Sequence, residues 1–331
     1  MTNHVVARTG CRIDLAGGTL DIWPLGLMHP GARTVNLAID VPVRLELRRR
    51  DSGYQVRSGE RLYEAEGLDE LRAEPDAALV AVIGEAIDLP PARIEFESAS
   101  PRGGGLGASS AIGVSLIAAA ERLEGRKERS AMERALLVRD LEARLMGRPT
   151  GIQDQLPPLL GGALEIVYRP GGDEVNRLDV DLESLDRCMT LFFSGKSHIS
   201  GDTNWQVIRR RLEGDRRTTQ LFERIAEVSR ALASALVRND FEESGRLVGD
   251  EWSARRQLAE GVSTPEVERI LEATVGAGAW GGKAGGAGGG GCVVVLHPAG
   301  RADAVREAAE SVGGTVVPGS PTEAGLRLEQ D

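Results

Sequence analysis

Residues 101–111, PRGGGLGASSA, constrain this chain more than any other stretch. The segment holds four glycines and two serines, carries no charge after Arg102, and leads directly into an apolar, alanine-rich stretch. Apolar residues at helical spacing, such as Ile112 and Leu116, predict a helix over residues 108–123. Backbone N–H groups at a helix N-terminus attract anions, and glycines allow phosphate oxygens to approach the backbone. The cluster alone is compatible with a phosphate-binding loop and equally with a glycine turn packed against a strand.

Three familiar glycine or serine motifs do not fit this loop. A Walker A loop requires GxxxxGK[ST], and no lysine follows here. Gly103, Gly105 and Gly107 are spaced by two, which differs from the dinucleotide fingerprint GxGxxG. A hydrolase nucleophile elbow requires GxSxG, and Ala111 stands where the second glycine belongs. An α/β hydrolase is therefore disfavoured.

Composition limits the classes of partner. A chain of 331 residues predicts two domains that share an interface. The net charge of −10 argues against nucleic acid as a partner. The three cysteines are far apart in sequence and form no CxxC motif, which predicts neither a disulfide framework nor a zinc site. No apolar run reaches the roughly 18 residues that a membrane helix needs. We expect a cytoplasmic monomer or homodimer that binds a small molecule and no membrane.

The first half of the chain predicts strands followed by helices. Residues 33–47 predict a pair of strands with Pro42 at a bend, and residues 93–98 predict a half-buried strand. Ser130 and Glu133 have the spacing of a capping box, and Gly147 is placed to end the helix that they begin. Residues 160–168 predict a further strand.

The second half predicts long helices and a small sheet. A buried strand is predicted over residues 187–194, helices over 203–239 and 241–260, and a core strand over 292–296. A helix and a strand over 302–317 complete the pattern. We expect an α+β protein with a boundary near residue 185, which gives domains at 1–185 and 186–331.

Three segments together resemble the motifs of the GHMP kinases, the superfamily of galactokinase, homoserine kinase, mevalonate kinase and phosphomevalonate kinase. PRGGGLGASSA is similar to the phosphate-loop motif of that superfamily. RIDLAGGTLDIWP, residues 12–24, resembles the opening motif of its sugar kinases, and GGKAGGAGGGG, residues 281–291, resembles its third motif. The resemblance implies an N-terminal domain like ribosomal protein S5 domain 2, a ferredoxin-like C-terminal domain, and a cleft between them for ATP and substrate.

The resemblance also implies a nucleotide site. The residues expected to bind ATP are Pro101, Gly103, Gly104, Gly105, Leu106, Gly107, Ala108, Ser109 and Ser110. Ser109 aligns with the Mg²⁺-coordinating serine, and Glu142, twelve residues before Asp154, aligns with the Mg²⁺ glutamate. Without the resemblance, Glu142 reads as an exposed helix carboxylate paired with Arg139 or Arg144.

Asp154 and Arg12 are the catalytic residues that the resemblance implies. Asp154 would orient or deprotonate the attacking hydroxyl group. Arg12 would keep Asp154 ionised and neutralise charge on the transferring phosphoryl group. Their alternative readings are a turn-forming aspartate and a surface arginine that begins a strand.

The acceptor would be bound by residues from several segments. Asp21 belongs to the opening motif, and its carboxylate can accept hydrogen bonds from vicinal sugar hydroxyls. Lys196 is the first candidate contact for a substrate phosphate, although a surface role is an equal alternative. The further substrate candidates are Gly17, Gly18, Gln153, Ser197, His198 and Gly286.

The substrate is indicated by two other segments. GIQDQLPPLLGG, residues 151–162, is similar to a segment of the heptose-7-phosphate 1-kinases. FFSGKSHIS, residues 192–200, resembles their strand-end motif, with His198 where arginine is usual. The expected activity is ATP-dependent phosphorylation of the anomeric hydroxyl of D-glycero-D-manno-heptose 7-phosphate. The alternatives are an unphosphorylated hexose such as L-fucose or galactose, or a catalytically silent homologue that binds ligands.

Overall fold

The computed structural model describes residues 3–197, 201–286 and 288–330. Its strands are β1 His4–Ala16, β2 Arg33–Arg49, β3 Tyr54–Ser58, β4 Arg61–Ala65, β5 Ala92–Ser98, β6 Ala163–Val167, β7 Glu174–Leu178, β8 Met189–Phe193, β9 Gly281–Ala284, β10 Cys292–Leu296, β11 Thr315–Val316 and β12 Arg327–Gln330. Its α-helices are α1 Leu25–Met28, α2 Ala78–Ala86, α3 Ala108–Glu124, α4 Ala131–Met146, α5 Leu156–Leu160, α6 Leu182–Arg187, α7 Gly201–Leu212, α8 Arg216–Val237, α9 Phe241–Arg255, α10 Pro265–Gly276 and α11 Ala302–Ser311.

The larger sheet is built around the antiparallel pair of β1 and β2. Its order over the described residues is β12-β1-β2-β5-β3-β4, and β6 pairs with both β2 and β7. The predicted pair of strands over residues 33–47 is wrong, because β2 is one continuous strand. Pro42 lies opposite Gly10 next to a register shift in β1, where the ladder is already interrupted. A proline without an N–H group is tolerated at such a bulge.

Helices cover one face of this sheet. Gly107 and Gly125, with φ of +74° and +62°, flank α3 in the left-handed conformation that glycine adopts at little cost. The capping box of Ser130 and Glu133 is confirmed at the start of α4, and Gly147 ends that helix. Helix α2 has no sequence prediction because its residues are apolar and buried nearly all round, which leaves no amphipathic period. These helices and the sheet enclose one apolar core.

The smaller sheet has the strand order β11-β8-β10-β9, with every neighbouring pair antiparallel. In chain order this is 4-1-3-2, the arrangement of a ferredoxin-like βαββαβ unit, here with α7 to α10 inserted between β8 and β9. The predicted helix over residues 203–239 is wrong in one respect. It divides into α7 and α8 at Gly214, whose φ is +84°, and Asp215 caps the second helix.

Strand β7 of the larger sheet ends at Leu178, and strand β8 of the smaller sheet begins at Met189. The predicted boundary at residue 185 lies between these two strands. One strand departs from that division, because β12 at the end of the chain pairs with β1 in the first sheet. Helices α8 and α9 of the second half pack against β1 and β2 of the first. The two halves therefore share buried apolar clusters. Among the described helices, none combines the length and apolar character needed to cross a bilayer.

Candidate active site

A cavity of about 610 Å³ lies where the two halves meet. Its wall includes residues 100–110, the turn at residues 19–22 and the segment at residues 148–154. Asn204, Trp205 and Gly286 complete it from the second half of the chain. A volume of this size suits a nucleotide or a small metabolite.

The phosphate-binding loop forms one wall of this cavity. All nine residues predicted to bind ATP, from Pro101 to Ser110, line it. Gly103, Gly105 and Gly107 have φ of +66°, +69° and +74°. Glycine occurs at every second residue of the loop because each of these positions is left-handed, a conformation that glycine adopts at little cost. The loop leads into the N-terminus of α3, a 17-residue helix whose first N–H groups attract anions.

The third glycine segment packs against this loop. A Cβ atom on Gly105 would lie 3.1 Å from the carbonyl oxygen of Gly285. The N–H group of Cys292 donates a 2.8 Å hydrogen bond to the carbonyl of Gly104. Gly286, predicted as a substrate contact, borders the cavity beside Gly105, at the phosphate loop.

Ser110, rather than Ser109, meets Glu142. The hydroxyl of Ser110 donates a 2.8 Å hydrogen bond to Oε1 of Glu142, and Nε2 of Gln155 donates a 2.7 Å bond to Oε2. All three side chains are buried, whereas Ser109 is exposed at the cavity surface. Ser109 lines the cavity without contacting Glu142 in the hydrogen bonds described, so Ser110 joins Ser109 as a candidate metal ligand.

The same carboxyl group suits a cation. Burial raises the pKa of Glu142 to about 7, and the hydrogen bond from Ser110 works against that rise. A buried carboxylate and a hydroxyl beside a phosphate loop are the hard oxygen donors that Mg²⁺ prefers together with substrate phosphates. Within the described ranges, no three His, Cys, Asp or Glu side chains form a metal-binding group. Mg²⁺ at this site would rely on Ser110, Glu142 and the nucleotide.

Arg12 and Asp154 form an ion pair in the wall of the cavity. Nε and Nη2 of Arg12 lie 2.9 and 2.6 Å from Oδ1 of Asp154. Nη1 of Arg12 donates to the carbonyl of Gly105, so the same guanidinium also contacts the phosphate loop. Burial disfavours the charged guanidinium, but the carboxylates of Asp154 and Asp14 outweigh it and raise the pKa of Arg12. The arginine is 2% exposed and the aspartate 33%, so the carboxylate is the member open to a substrate.

Asp21 lies in the cavity wall, against Gly151 and Gln153. Its Oδ2 accepts a 3.3 Å hydrogen bond from the N–H group of Gln153, whose residue is buried and also lines the cavity. Burial, together with the negative charge of Asp154, raises the pKa of Asp21 to about 7. Gly151 lies directly over this carboxyl group, because a Cβ atom there would be 1.5 Å from Oδ2.

The turn before Asp21 is tightly packed. A Cβ atom on Gly17 would lie 2.0 Å from the carbonyl oxygen of Arg33, and one on Gly18 would lie 2.4 Å from Oδ2 of Asp14. Thr19 has a φ of +71°, is buried, and lines the cavity. Gly17 and Gly18, predicted as substrate contacts, are not among the residues that line the cavity, whereas Thr19 is.

The strand-end motif lies elsewhere. Lys196 is 56% exposed with its Nζ 3.9 Å from Glu266, and it is not part of the cavity wall. The hydroxyl of Ser197 donates to the carbonyl of Arg102 on the outer side of the phosphate loop. His198 lies outside the described residues. The structure thus brings Arg12, Asp21, Gln153 and Asp154 together and leaves Lys196 apart.

Arg148, Asn204 and Trp205 are among the cavity residues that the sequence analysis did not single out. Arg148 follows the predicted helix end at Gly147 and precedes Pro149, which marks a turn but no chemistry. Trp205 is 40% exposed, an unusual state for a large aromatic side chain, and only its place in the cavity reveals it.

Comparison with known proteins identifies the superfamily of the chain. Residues 76–162 match the GHMP kinases N terminal domain, and residues 232–315 match the GHMP kinases C terminal family. Over 262 residues the chain is 31% identical to the mevalonate kinase of Pyrococcus abyssi, which covers 76% of this chain and 73% of that protein.

Two further similarities involve heptose kinases. The chain is 30% identical over 197 residues to the D-glycero-alpha-D-manno-heptose 7-phosphate kinase of Campylobacter jejuni, covering 58% and 57% of the two chains. The crystal structure of a D-glycero-D-manno-heptose 1-phosphate kinase from Bacteriodes thetaiotaomicron has the same fold, with a TM-score of 0.78 at 20% identity over 99% of each chain. The family and two-domain fold predicted from three glycine-rich motifs are confirmed, and the chain belongs to the GHMP kinases.

Proposed function

We propose that this GHMP kinase transfers the γ-phosphoryl group of ATP to the anomeric hydroxyl of a sugar or sugar phosphate. The ion pair of Arg12 and Asp154 carries the proposal, because Arg12 donates to Gly105 of the phosphate loop and burial, together with the charge of Asp154, raises the pKa of Asp21. Donor and acceptor bound at the phosphate loop and at Asp21 would meet at the carboxylate of Asp154.

The donor side supports ATP. GHMP kinases use ATP as the phosphate donor. The glycine loop and the α3 N-terminus offer backbone N–H groups to the phosphates. Ser110 and Glu142 would hold Mg²⁺, which when bound neutralises charge on the β- and γ-phosphates.

The acceptor side supports proton transfer at a hydroxyl group. Asp154 accepts from Arg12 through Oδ1 only in the hydrogen bonds described, and its carboxylate is the more exposed of the pair. It is placed to orient the acceptor hydroxyl and to take its proton. Arg12, held against Gly105, is placed to stabilise negative charge on the transferring group.

The character of the acceptor wall favours a polyhydroxylated substrate. Two carboxyl groups, Asp21 and Asp154, line the cavity, and carboxyl groups accept hydrogen bonds from hydroxyls. Residues 151–162 resemble the heptose kinases, and a heptose 7-phosphate kinase is among the relatives. D-glycero-D-manno-heptose 7-phosphate is therefore the first candidate, and an unphosphorylated hexose is the alternative. Arg148 takes the place of Lys196 as the candidate contact for a substrate phosphate.

Mevalonate is the second candidate acceptor, because the chain is 31% identical to a mevalonate kinase over 76% of its length. The resemblance of residues 151–162 to the heptose kinases places the sugar first. ATP as a co-substrate, and three thiols without a disulfide, support a cytoplasmic location.

ADP release with Mg-ATP across an acceptor panel tests the proposal. The panel contains D-glycero-D-manno-heptose 7-phosphate, L-fucose, galactose and mevalonate, and ³¹P NMR assigns the phosphorylated position. Asp154→Asn should lower turnover by about 10²- to 10⁴-fold. Asp140→Asn is the matched control, because Asp140 is 65% exposed and also pairs with an arginine, Arg139. Turnover of mevalonate alone would overturn the sugar assignment and keep the kinase. ATP binding without turnover of any acceptor would favour a ligand-binding homologue.

A further inference from the structure

Four charged side chains meet in the interior directly behind residues 17–21, which are called the acceptor turn below. Nζ of Lys283 lies 3.1 Å from Oδ2 of Asp14 and 3.3 Å from Oε2 of Glu251. Nε of Arg255 donates a 2.8 Å hydrogen bond to Oε1 of Glu251. Each of the four residues is at most 1% exposed. Burial of two acids and two bases is costly unless each charge is balanced, and this group is internally neutral.

Lysine is a rare residue in this chain. The sequence contains three lysines against 37 arginines, and one of the three is the fully buried Lys283. Lysine is a compact point charge, whereas arginine presents a planar fork of donors. A site at which Nζ approaches two carboxylates from different elements suits the point charge. The neighbouring Arg255 supplies the planar set of donors.

The guanidinium group of Arg255 holds the acceptor turn in place. Nη2 of Arg255 donates a 2.6 Å hydrogen bond to the carbonyl of Gly18, and Nη1 donates a 3.2 Å bond to Oγ1 of Thr19. Oε1 of Glu251 accepts a 3.2 Å bond from the N–H group of Gly17. One residue pair on α9 thus contacts three consecutive residues of the turn, including Thr19 in its left-handed conformation. Such a backbone state persists only where its surroundings hold it.

The other members connect this turn to the donor side. Asp14 lies two residues after Arg12 on β1, and Lys283 lies in β9, two residues before Gly285, which contacts Gly105 of the phosphate loop. Among the described residues, the carboxylate oxygens of Asp14 and Nζ of Lys283 have no partner beyond the ion pairs of Lys283 despite their burial. Their positions therefore depend on the ion pairs between strands and helix rather than on local hydrogen bonds.

We propose that Arg255 and Lys283 are positioning residues, which through Glu251 and Asp14 set the acceptor turn at residues 17–21 against the phosphate loop. This inference rests on the proposed function for its kinetic consequence, because it assigns the turn to acceptor binding. Neither residue lines the cavity, so both act through the residues they hold.

Arg255→Lys removes the planar guanidinium donors and retains the positive charge. The matched control is Arg256→Lys, since Arg256 is the next residue, is 46% exposed and pairs with Glu268. The first measurement needs no acceptor: hydrogen–deuterium exchange of peptides that cover residues 13–24 and 101–112. Arg255→Lys should accelerate exchange in the peptide of residues 13–24. In the peptide of residues 101–112, exchange should be the same in Arg255→Lys and Arg256→Lys. Unchanged exchange at residues 13–24 would overturn the proposal.

The second measurement uses the acceptor turned over most efficiently in the panel. A displacement of about 1 Å can cost roughly 100-fold, so Arg255→Lys should raise the acceptor KM by about 10- to 100-fold. The KM for ATP should stay within about twofold of the value for Arg256→Lys, because the phosphate loop is held separately. Equal losses for ATP and acceptor would show a general structural role and contradict the proposal.

Lys283→Met tests the charge balance. Loss of Nζ leaves Asp14 and Glu251 facing each other, so exchange at residues 13–24 should rise and the melting temperature should fall. The double variant Asp14→Asn with Lys283→Met restores neutrality and should recover most of the melting temperature. No recovery would contradict the ion-pair basis. If exchange responds as expected while no acceptor is phosphorylated, the positioning role stands and the proposed function fails.

Discussion

Nη2 of Arg12 and Oδ1 of Asp154 lie 2.6 Å apart although 142 residues separate them in the chain. The arginine reaches the aspartate from β1, and the aspartate lies in the segment just before α5. A guanidinium that also contacts Gly105 links the acid to the phosphate loop. Such a pair fixes the orientation of one carboxylate oxygen and leaves the other for a substrate.

Asp154→Asn should lower kcat by about 10²- to 10⁴-fold, the usual contribution of a positioned acid or base. Arg12→Lys keeps a positive charge but loses the fork, and a loss of about 10- to 100-fold is expected. Steady-state ADP release checks both. Arg8→Lys on the same strand is the control, since Arg8 is 51% exposed and pairs with Glu329. A variant Asp154→Asn with more than a tenth of the wild-type kcat would contradict the assignment.

Ser110→Ala should impair Mg²⁺ use more than Ser109→Ala. Ser110 donates to Glu142 inside the protein, whereas Ser109 is exposed. A lost contact to a charged group is worth about 1.5–3 kcal/mol, which predicts a rise of about 10- to 100-fold in the Mg²⁺ concentration for half-maximal activity. A Mg²⁺ titration at saturating ATP provides the measurement. The opposite order would favour Ser109 as the ligand.

Gly105→Ala should weaken ATP binding. The residue has a φ of +69°, and a Cβ atom would lie 3.1 Å from the carbonyl of Gly285. Gly125→Ala is a matched control, with a φ of +62° and nothing within 4 Å of its Cβ position. Both substitutions should cost about 1–2 kcal/mol of folding stability from backbone strain. Only Gly105→Ala should also raise the dissociation constant for ATP, measured by calorimetry; equal ATP affinities would contradict a close packing role.

Asp21→Asn should change the pH dependence of stability. Burial, together with the charge of Asp154, raises the pKa of Asp21 from its ordinary value of 3.8 to about 7. Between these values the native state holds a proton that the unfolded state has released, so the free energy of unfolding falls as pH rises from about 4 to 7. The slope is at most about 1.4 kcal/mol per pH unit. Asp21→Asn lacks this pH dependence. The free energy of unfolding of the variant minus that of the wild-type protein should therefore be larger at pH 8 than at pH 5.

Denaturant unfolding of both proteins at pH 5, 6, 7 and 8 provides the measurement. Glu142, whose pKa is also raised to about 7 by burial, contributes equally to both proteins, so their difference isolates Asp21. A difference that does not vary with pH would show that Asp21 is already ionised in the native protein at pH 5.

Arg148→Met should separate phosphorylated from unphosphorylated acceptors. Arg148 lines the cavity in the same segment as Gly151, which lies against Asp21, and its Nε donates to the carbonyl of Met146. A charged contact of about 1.5–3 kcal/mol predicts a rise of about 10- to 100-fold in the KM of a sugar phosphate, with little change for a free sugar. Arg144→Met, on the exposed surface of α4, is the control. Equal effects on both kinds of acceptor would remove Arg148 from phosphate recognition.

The metal-site pairing shows a limit of sequence reading. Ser109 and Ser110 are adjacent, and a motif cannot say which hydroxyl turns inward. Successive residues of a helix point about 100° apart, so the choice depends on how α3 packs beside α4. The structure turns Ser110 toward Glu142, because that side of α3 is the buried side.

The charge network behind the acceptor turn shows the same limit more strongly. Glu251, Arg255 and Lys283 are residue types that are mostly exposed. No local pattern marks them as buried, since their partners come from β1, α9 and β9. Lys196 is the converse case, because its motif suggested the pocket and the fold places it 56% exposed outside the cavity.

The sequence by itself determined the family, the alternation of helices and strands, and the phosphate loop. Those features are local: a left-handed turn needs glycine at Gly103, Gly105 and Gly107, and a helix cap needs Ser130 and Glu133 at a set spacing. Only the tertiary structure decided which side chains meet, as in Arg12 with Asp154 and Lys283 with Asp14. Such contacts depend on the packing of segments far apart in the chain, and burial gives them their strength by removing the water that would screen them.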